Sequence, residues 1–388
     1  NMGAEATENI TQKWLDNDFY VANLNARYQK GSNTLDLGAY HSKYVGDHFG
    51  VLVWADNTGG AMPGHRFYEN QGIKKDTNIF GKLTHAVGDN LVVFTDLQYR
   101  WVDYVANGVQ AGPEPISIDR NYGFFNPKFG LTYNLNNEDQ AYLSVARAHR
   151  EPNRTDFENG NPVPESLTDY ELGWRHKSEF LKFGANVYYM DYKDQLVLTG
   201  AVDEVGAPIR ENSGSSYRLG LELDVDWQLS SQWSWNANLT LSENINRDFV
   251  FERDGQLQEL GNTNLSYSPN VVGASQLTYL PNDAWTVSLF SKYVGEQYMG
   301  NIDADLSKLP SYTTHDISIQ YQLDPSWCKS LTLQLLLNNV LDASYVSNGY
   351  FYTYDDSWSN PGMVQTIEGV GYYPQAGFHF LTGVNIRF

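Results

Sequence analysis

The 388-residue chain contains a single cysteine, Cys328, so neither an internal disulfide nor a multi-cysteine metal site is available. Cys328 reads as a small apolar residue in a strand. Long hydrophobic runs are also missing. Mean hydropathy is −0.47, apolar stretches last only a few residues, and a membrane-crossing helix needs about 20. Positive charge is scarce: 46 acidic residues against 26 basic ones leave a net charge of −20. That balance argues against a nucleic-acid partner, which needs concentrated Lys and Arg. The opening residues, NMGAEATENITQKW, lack a basic region followed by an apolar core, so no signal peptide is legible there. Catalytic constellations are missing too. The eight histidines are scattered, and no Ser-His-Asp, paired-carboxylate or His-x-x-His arrangement stands out. The chain is not read as an enzyme, and no cofactor is expected.

What is present is aromatic and alternating. Aromatics make up 14% of the chain, with 27 Tyr and 10 Trp. In YRLGLELDVDWQL, residues Tyr217, Leu219, Leu221, Leu223, Val225, Trp227 and Leu229 alternate with Arg218, Gly220, Glu222, Asp224, Asp226 and Gln228. A period of two is a strand with one apolar and one wet face. The same dyad runs through 20–28, 35–39, 91–101, 170–174, 181–189 and 331–337. It also closes the chain, where Phe378, Phe380, Val384, Ile386 and Phe388 oppose His379, Asn385 and Arg387.

Two kinds of connection take turns between these strands. Short ones are built from turn residues: KGSN at Lys30, GDN at Gly88, NNED at Asn136, KSE at Lys177, SSQ at Ser230, PND at Pro281 and DPS at Asp324. Long ones are rich in Gly, Asn, Asp and aromatics, and are expected to be irregular, as in 46–72 and 347–375. Apolar-out, polar-in strands with tight turns at one end and long loops at the other predict an all-β, antiparallel, up-and-down outer-membrane β-barrel. Lipid is then the solvent of the apolar face, and pairing in a closed sheet satisfies the backbone. Ring-bearing positions such as Tyr99, Trp101, Tyr217, Trp227 and Trp285 suit interfacial girdles.

The seven short turns imply fourteen strands, and the terminal strand makes about fifteen. An odd number puts the two chain ends on opposite sides of the membrane, with residues 1–16 expected in an external loop segment and 17–388 as the C-terminal part of a barrel.

Several segments resemble the C-terminal part of TonB-dependent receptors of the outer membrane. NPKFGLTYNLNNEDQAYLSVARAHREPN (126–153) is similar to the family's barrel-centre hairpin, and PESLTDYELGWRHK (164–177) to its Tyr-Glu-Leu-Gly strand. GLELDVDW resembles the Gly-x-Glu strand that follows, LLNNVLDASYVSNG (336–349) the Asn-Val-Leu-Asp segment, and the final strand ending at Phe388 the signal read by the barrel-assembly machinery. The resemblance implies a 22-stranded barrel with a plugged lumen, of which the plug and about seven strands are not in this chain. It also implies an outer membrane of a Gram-negative bacterium, a small-molecule ligand, and a TonB complex engaged through the missing part.

Ligand candidates lie in the long connections. Arg66 with Tyr68, and Arg150 with Arg154, suit an anionic chelate, although Arg150 and Arg154 equally suit ion pairs with nearby carboxylates. Tyr350, Phe351, Tyr352, Tyr354 and Trp358 could grip a bulky ligand or simply pack. His65 would serve as an axial ligand were the cargo haem, and Asp303, Asp305, Asp355 and Asp356 offer oxygens to Ca²⁺, but both sets also read as polar surface. The first expectation is import of a ferric siderophore, haem or cobalamin. Alternatives are a passive porin of about sixteen strands, or a surface adhesin or carbohydrate-binding β protein.

Overall fold

A computed structural model of the chain describes residues 8–57, 60–110, 115–158, 160–202 and 208–388. Fifteen strands follow one another in hydrogen-bonded order along the principal sheet. They are β1 (Asn9–Lys30), β2 (Asn33–Ala55), β3 (Arg66–Val87), β4 (Leu91–Val109), β5 (Pro115–Asn134), β6 (Asp139–Arg150), β7 (Glu165–Lys177) and β8 (Leu181–Lys193). Then come β9 (Ser215–Gln228), β10 (Trp233–Arg253), β11 (Val271–Asn282), β12 (Trp285–Val294), β13 (Tyr312–Leu323), β14 (Ser330–Asn338) and β15 (His379–Arg387). Each of the seven short turn sequences joins consecutive strands of this series, as the turn chemistry requires.

The chain divides into two compact units. One comprises Asn1–Val87, Val93–Phe129 and Arg147–Glu158, the other Gly88–Val92, Gly130–Ala146 and Asn159–Phe388.

In the first unit, Leu37, Ile79, Leu83, Leu97 and Trp101 are exposed on the apolar face, and Leu35 opposes Leu83 across the β2–β3 pair. In the second unit, Leu219, Trp227, Leu289 and Leu333 are likewise exposed. Such a band is tolerated in lipid and would aggregate in water. Aromatic pairs gather near the short turns of the second unit: Trp233 and Tyr279 lie 4.3 Å apart, and Trp285 and Tyr321 4.5 Å apart. About ten residues up the strands, Tyr189 contacts both Tyr170 and Tyr217. Ten tilted residues cover the roughly 25 Å apolar band of an outer-membrane strand, so these rings mark its two rims.

Two expectations change. Residues 9–16, expected in a loop, are strand, with Thr11 opposite Leu52 and Asp16 opposite Asp47. Residues 1–7 of that segment lie outside the described residues. The connection at 46–72 is also largely β, since β2 runs on to Ala55 and β3 begins at Arg66, and the stretch at 347–375 forms a hairpin of Val346–Asp356 with Gln365–Pro374. Pairing beyond the apolar band satisfies backbone groups that would otherwise depend on water.

The Asn-Val-Leu-Asp segment is a local knot. Asn339 and Asp342 both adopt positive φ, 49° and 51°, a region that Asn and Asp enter more readily than other non-glycine residues. The Asn339 amide nitrogen donates to the Ala343 and Ala376 carbonyls, and its side-chain oxygen accepts the Ala343 N–H at 2.9 Å. Asp342 accepts the Phe378 N–H at 2.7 Å. The motif thereby ties the end of β14 to the start of β15.

Candidate functional site

In the first unit, the segment after β6 folds back as a strap over the polar face of β3, β4 and β5. A short helix, α1 (Arg154–Glu158), is started by a reciprocal cap: Asp156 N–H donates to Asn153 Oδ1 at 3.0 Å, and Asn153 N–H to Asp156 Oδ2 at 2.7 Å. Phe157 packs on the buried cluster of Tyr104, Ala106, Ile116 and Ile118. Glu151 anchors the strap. Its carboxylate takes both terminal nitrogens of Arg100, at 2.7 and 2.8 Å, and the Lys74 ammonium at 2.6 Å. Arg100 also grips Asp76, with Nη2 at 2.6 Å. Burial pushes the Glu151 carboxyl up, but the hydrogen bonds from Arg100 and Lys74 outweigh it and hold the group below the usual glutamate range.

The strap carries Arg154 onto the β3 wall. Its Nη1 donates to Asn70 Oδ1 at 2.7 Å and its Nε to Glu158 at 2.6 Å. Tyr44, His48, Tyr68 and Tyr104 stand within electrostatic reach of this guanidinium. Arg154 thus faces the wall that carries Tyr68. Arg150 ends β6 and is exposed.

Arg66 and Tyr68 are separated. The β2–β3 register shifts between Gly50 and Val51, so Phe67 and Tyr68 both oppose Gly50 while Arg66 pairs with Val51. This bulge turns Arg66 to the other face, where its guanidinium lies 3.9 Å from the Phe49 ring centroid and bonds Glu69. Phe49 in turn stacks on Trp14.

In the second unit, the external hairpins form a joined cap. Met299, Leu309 and Phe351, each at most 2% exposed, make its core. Asn301 donates to the Leu198 carbonyl at 2.7 Å and accepts from Asn246 at 3.2 Å. Arg253 bonds Glu368 at 2.7 Å, and Asp254 accepts the Thr366 N–H at 2.7 Å. Phe351 therefore packs inward. The other rings of this segment form a row: Tyr350, Tyr352 and Tyr354 of the strand, and Trp358 just beyond it, are near-parallel, with successive centroids 6.3, 6.3 and 5.9 Å apart. The row follows the two-residue period of the strand. Tyr350 and Tyr352 lie over Gly371 and Gly369, where a Cβ would come within 2.3 Å of each ring.

The acidic loop residues serve the cap. Asp303 accepts from Asn264, Asp355 from Thr366, and Asp356 from the Trp358 and Ser359 amides. Among the described residues, no group of three or more His, Cys, Asp or Glu is arranged to hold a metal ion. His65 makes backbone hydrogen bonds with Leu52 and Met62. On the polar face of β9 to β13, a groove of about 570 Å³ is lined by Asp224, Asp226, Lys292 and Asp316, a wet wall rather than a catalytic pair. Lys74, Asp76 and Glu151 were not singled out by sequence. Their only signal was even-numbered charge on β3 and a carboxylate beside Arg150.

Comparison with known proteins joins this geometry to a family. Residues 3–340 match the family model described as TonB dependent receptor-like, beta-barrel. The pesticin receptor of Yersinia enterocolitica is 26% identical over 193 residues, spanning 48% of this chain and 26% of that receptor. The ferric yersiniabactin uptake receptor FyuA from Yersinia pestis superposes with a TM-score of 0.64 at 16% identity, covering 96% of this chain and 54% of FyuA. For the siderophore receptor PiuA from Acinetobacter baumannii the values are 0.68, 15%, 96% and 56%. The copper transporter OprC gives a TM-score of 0.73 at 15% identity, over 96% and 57%. The chain thus spans about half the length of these solved structures and about a quarter of the pesticin receptor. It belongs to the TonB-dependent receptor-like β-barrel family of outer-membrane receptors and transporters.

Proposed function

We propose that the chain is the C-terminal barrel portion of a TonB-dependent transporter that binds a bulky, scarce nutrient outside the cell and admits it to the periplasm. Ferric siderophore, haem and cobalamin are the cargo classes it best suits. The carrying observation is the family match over residues 3–340, together with external hairpins that hold an exposed aromatic row in place. Family membership favours this reading over a passive porin or an adhesin. A plug and further strands complete the machine in this proposal. Along the sheet, β1 and β15 each pair on one side among the described residues, and an apolar edge such as β1 needs covering. Arg154 with Tyr68, and the row of Tyr350, Tyr352, Tyr354 and Trp358, are the proposed ligand contacts, and Phe388 the proposed assembly signal.

The test is uptake by nutrient-limited cells with and without the protein, offered each cargo class in turn. Import of one class is expected, abolished by a protonophore. Import that survives the protonophore, or general influx of small unrelated solutes, would sink the proposal.

A further inference from the structure

On the first unit, Lys43 of β2 and Lys75 of β3 stand directly opposite one another. They share the parity of Leu37, Ile79 and Leu83, so they are on the face that meets lipid. The pair lies ten positions beyond the Asn33–His85 pair at the short turn, which is the height of the outer rim. Tyr20, opposite Lys43 on β1, stands at the same height. So does Trp101, ten positions into β4 from Leu91 and next to the Arg100 that bonds Asp76 across β3 and β4. The rim of this unit is therefore two exposed rings, Tyr20 and Trp101, enclosing two ammonium groups.

Like charges directly opposite on a sheet repel, with Cβ atoms only about 5 Å apart. The chain has 46 acidic residues to relieve this, yet among the described residues neither ammonium has an ion pair or hydrogen bond. The next residue behaves differently: Lys74, on the opposite face, is held by Glu151 at 2.6 Å. Asp18, Asp47 and Asp103 share the outward face but lie nearer the external ends of their strands, and Asp47 accepts from Gln71. Additional strands cannot come between the lysines, because β2 and β3 are each paired on both sides, and a plug would lie on the polar face. Only a molecule on the lipid side reaches both.

We propose that Lys43 and Lys75 bind the phosphate of a lipid in the outer leaflet. Two ammonium groups share one anion through charge-assisted hydrogen bonds, which turns their mutual repulsion into joint attraction. Their flexible stems let the charges rise to headgroup level, while the acyl chains lie along Leu37, Ile79 and Leu83. Tyr20 and Trp101 flank the headgroup as amphipathic rings at the interface. The site is separate from import, since it faces away from the lumen and needs no cargo.

The experiment is native mass spectrometry of the protein, extracted in detergent and offered phosphatidic acid, diacylglycerol with the same acyl chains, or inorganic phosphate. Phosphatidic acid is expected to stay bound, diacylglycerol at least about tenfold more weakly, and inorganic phosphate not at all at the same concentration. The double variant Lys43→Gln, Lys75→Gln should lose about tenfold for phosphatidic acid and nothing for diacylglycerol. Equal retention of the two lipids overturns the proposal, as does a folded double variant that keeps full affinity for phosphatidic acid. Inorganic phosphate bound as tightly as phosphatidic acid would assign the pair to a soluble anion, and overturns it equally. Because the variant removes a repulsion, its unfolding temperature in lipid-free detergent should be no lower than that of the unaltered protein, and phosphatidic acid should raise only the latter. A variant already destabilised without lipid would mean that the lysines serve the fold. Lipid binding requires no transport, so its outcome is separate from that of the uptake test.

Discussion

Arg100 and Glu151, brought together from β4 and the strap, meet fork to fork, Nη1 to Oε2 at 2.7 Å and Nη2 to Oε1 at 2.8 Å. Lys74 and Asp76 complete the network, so that two cations and two carboxylates are satisfied by one another. Removing one member leaves its partners charged and partly buried, which costs far more than the pair gains over an apolar replacement. Glu151→Gln is therefore expected to destabilise the strap by on the order of 3 kcal/mol. Limited proteolysis in detergent should then cut within Glu151–Glu158, where the unaltered protein resists. Equal resistance of the two proteins would show that Phe157 and its cluster hold the strap without the network.

The same network sets a dependence on acid. Because the folded Glu151 carboxyl lies below its usual range, its contribution is fully present above the ordinary glutamate pKa of about 4.3 and is lost as pH falls through the lower, folded value. Pepsin digestion at successively lower pH should expose the strap in the unaltered protein near the bottom of that window. In Glu151→Gln the strap should be open throughout, with no transition. A transition at unchanged pH in the variant would assign the effect to another carboxylate.

Much of this architecture was legible because it is written locally. Turn residues at Gly31, Gly88 and Asn136 place hairpins without reference to the rest of the chain, and the parity of Leu219 to Trp227 declares which face meets lipid. Arg66 and Tyr68 are parted for the opposite reason. A two-residue period puts them on one face, and a single bulge opposite Gly50 reverses that without any mark in the sequence stronger than a glycine. The strap was hidden for a related reason. Glu151 lies 51 positions from Arg100 and 77 from Lys74, and its partners are named by sheet register rather than by spacing. The ion-pair reading of Arg154 described its contact with Glu158, whereas its contact with Asn70 needed the folded wall.

Asn339 separates backbone conformation from hydrogen bonding. Asn339→Ala loses the side-chain bonds to Ala343 and Ala376 and also strains a φ of 49°. Asn339→Gly loses the bonds but relieves the strain. Assembly, followed by heat-modifiable migration in electrophoresis, should fall in the order unaltered, Gly, Ala, with the Gly variant ahead of Ala by about 1 kcal/mol in unfolding. Equal behaviour of Gly and Ala would place the whole effect in the hydrogen bonds.

The aromatic row depends on Gly371. An alanine Cβ there would come within 2.3 Å of the Tyr350 ring, so Gly371→Ala must swing the ring off the strand or spread the hairpin. The expected result is a loss of order in the row, at a cost of about 1–3 kcal/mol to the cap, read as a changed near-ultraviolet circular dichroism with the barrel still folded. Unchanged dichroism would mean that the ring rotates away freely and that Gly371 does not hold it.

The bulge makes the final prediction, because it assigns opposite outcomes to two residues only one position apart from adjacency. Tyr68 shares the wall with Asn70 and stands within reach of Arg154, whereas Arg66 lies against Phe49 on the other face. Once a cargo is identified by uptake, Tyr68→Phe should raise the half-saturating concentration severalfold, since it removes a hydroxyl donor worth about 1 kcal/mol or more at a ligand. Arg66→Ala should leave that concentration within about twofold, a change below half a kcal/mol. Phe67 needs no alteration for the comparison, because it shares the bulge in both variants. If Arg66→Ala raises the concentration more than Tyr68→Phe does, the cargo is read from the Phe49 face, and the strap has no part in binding it.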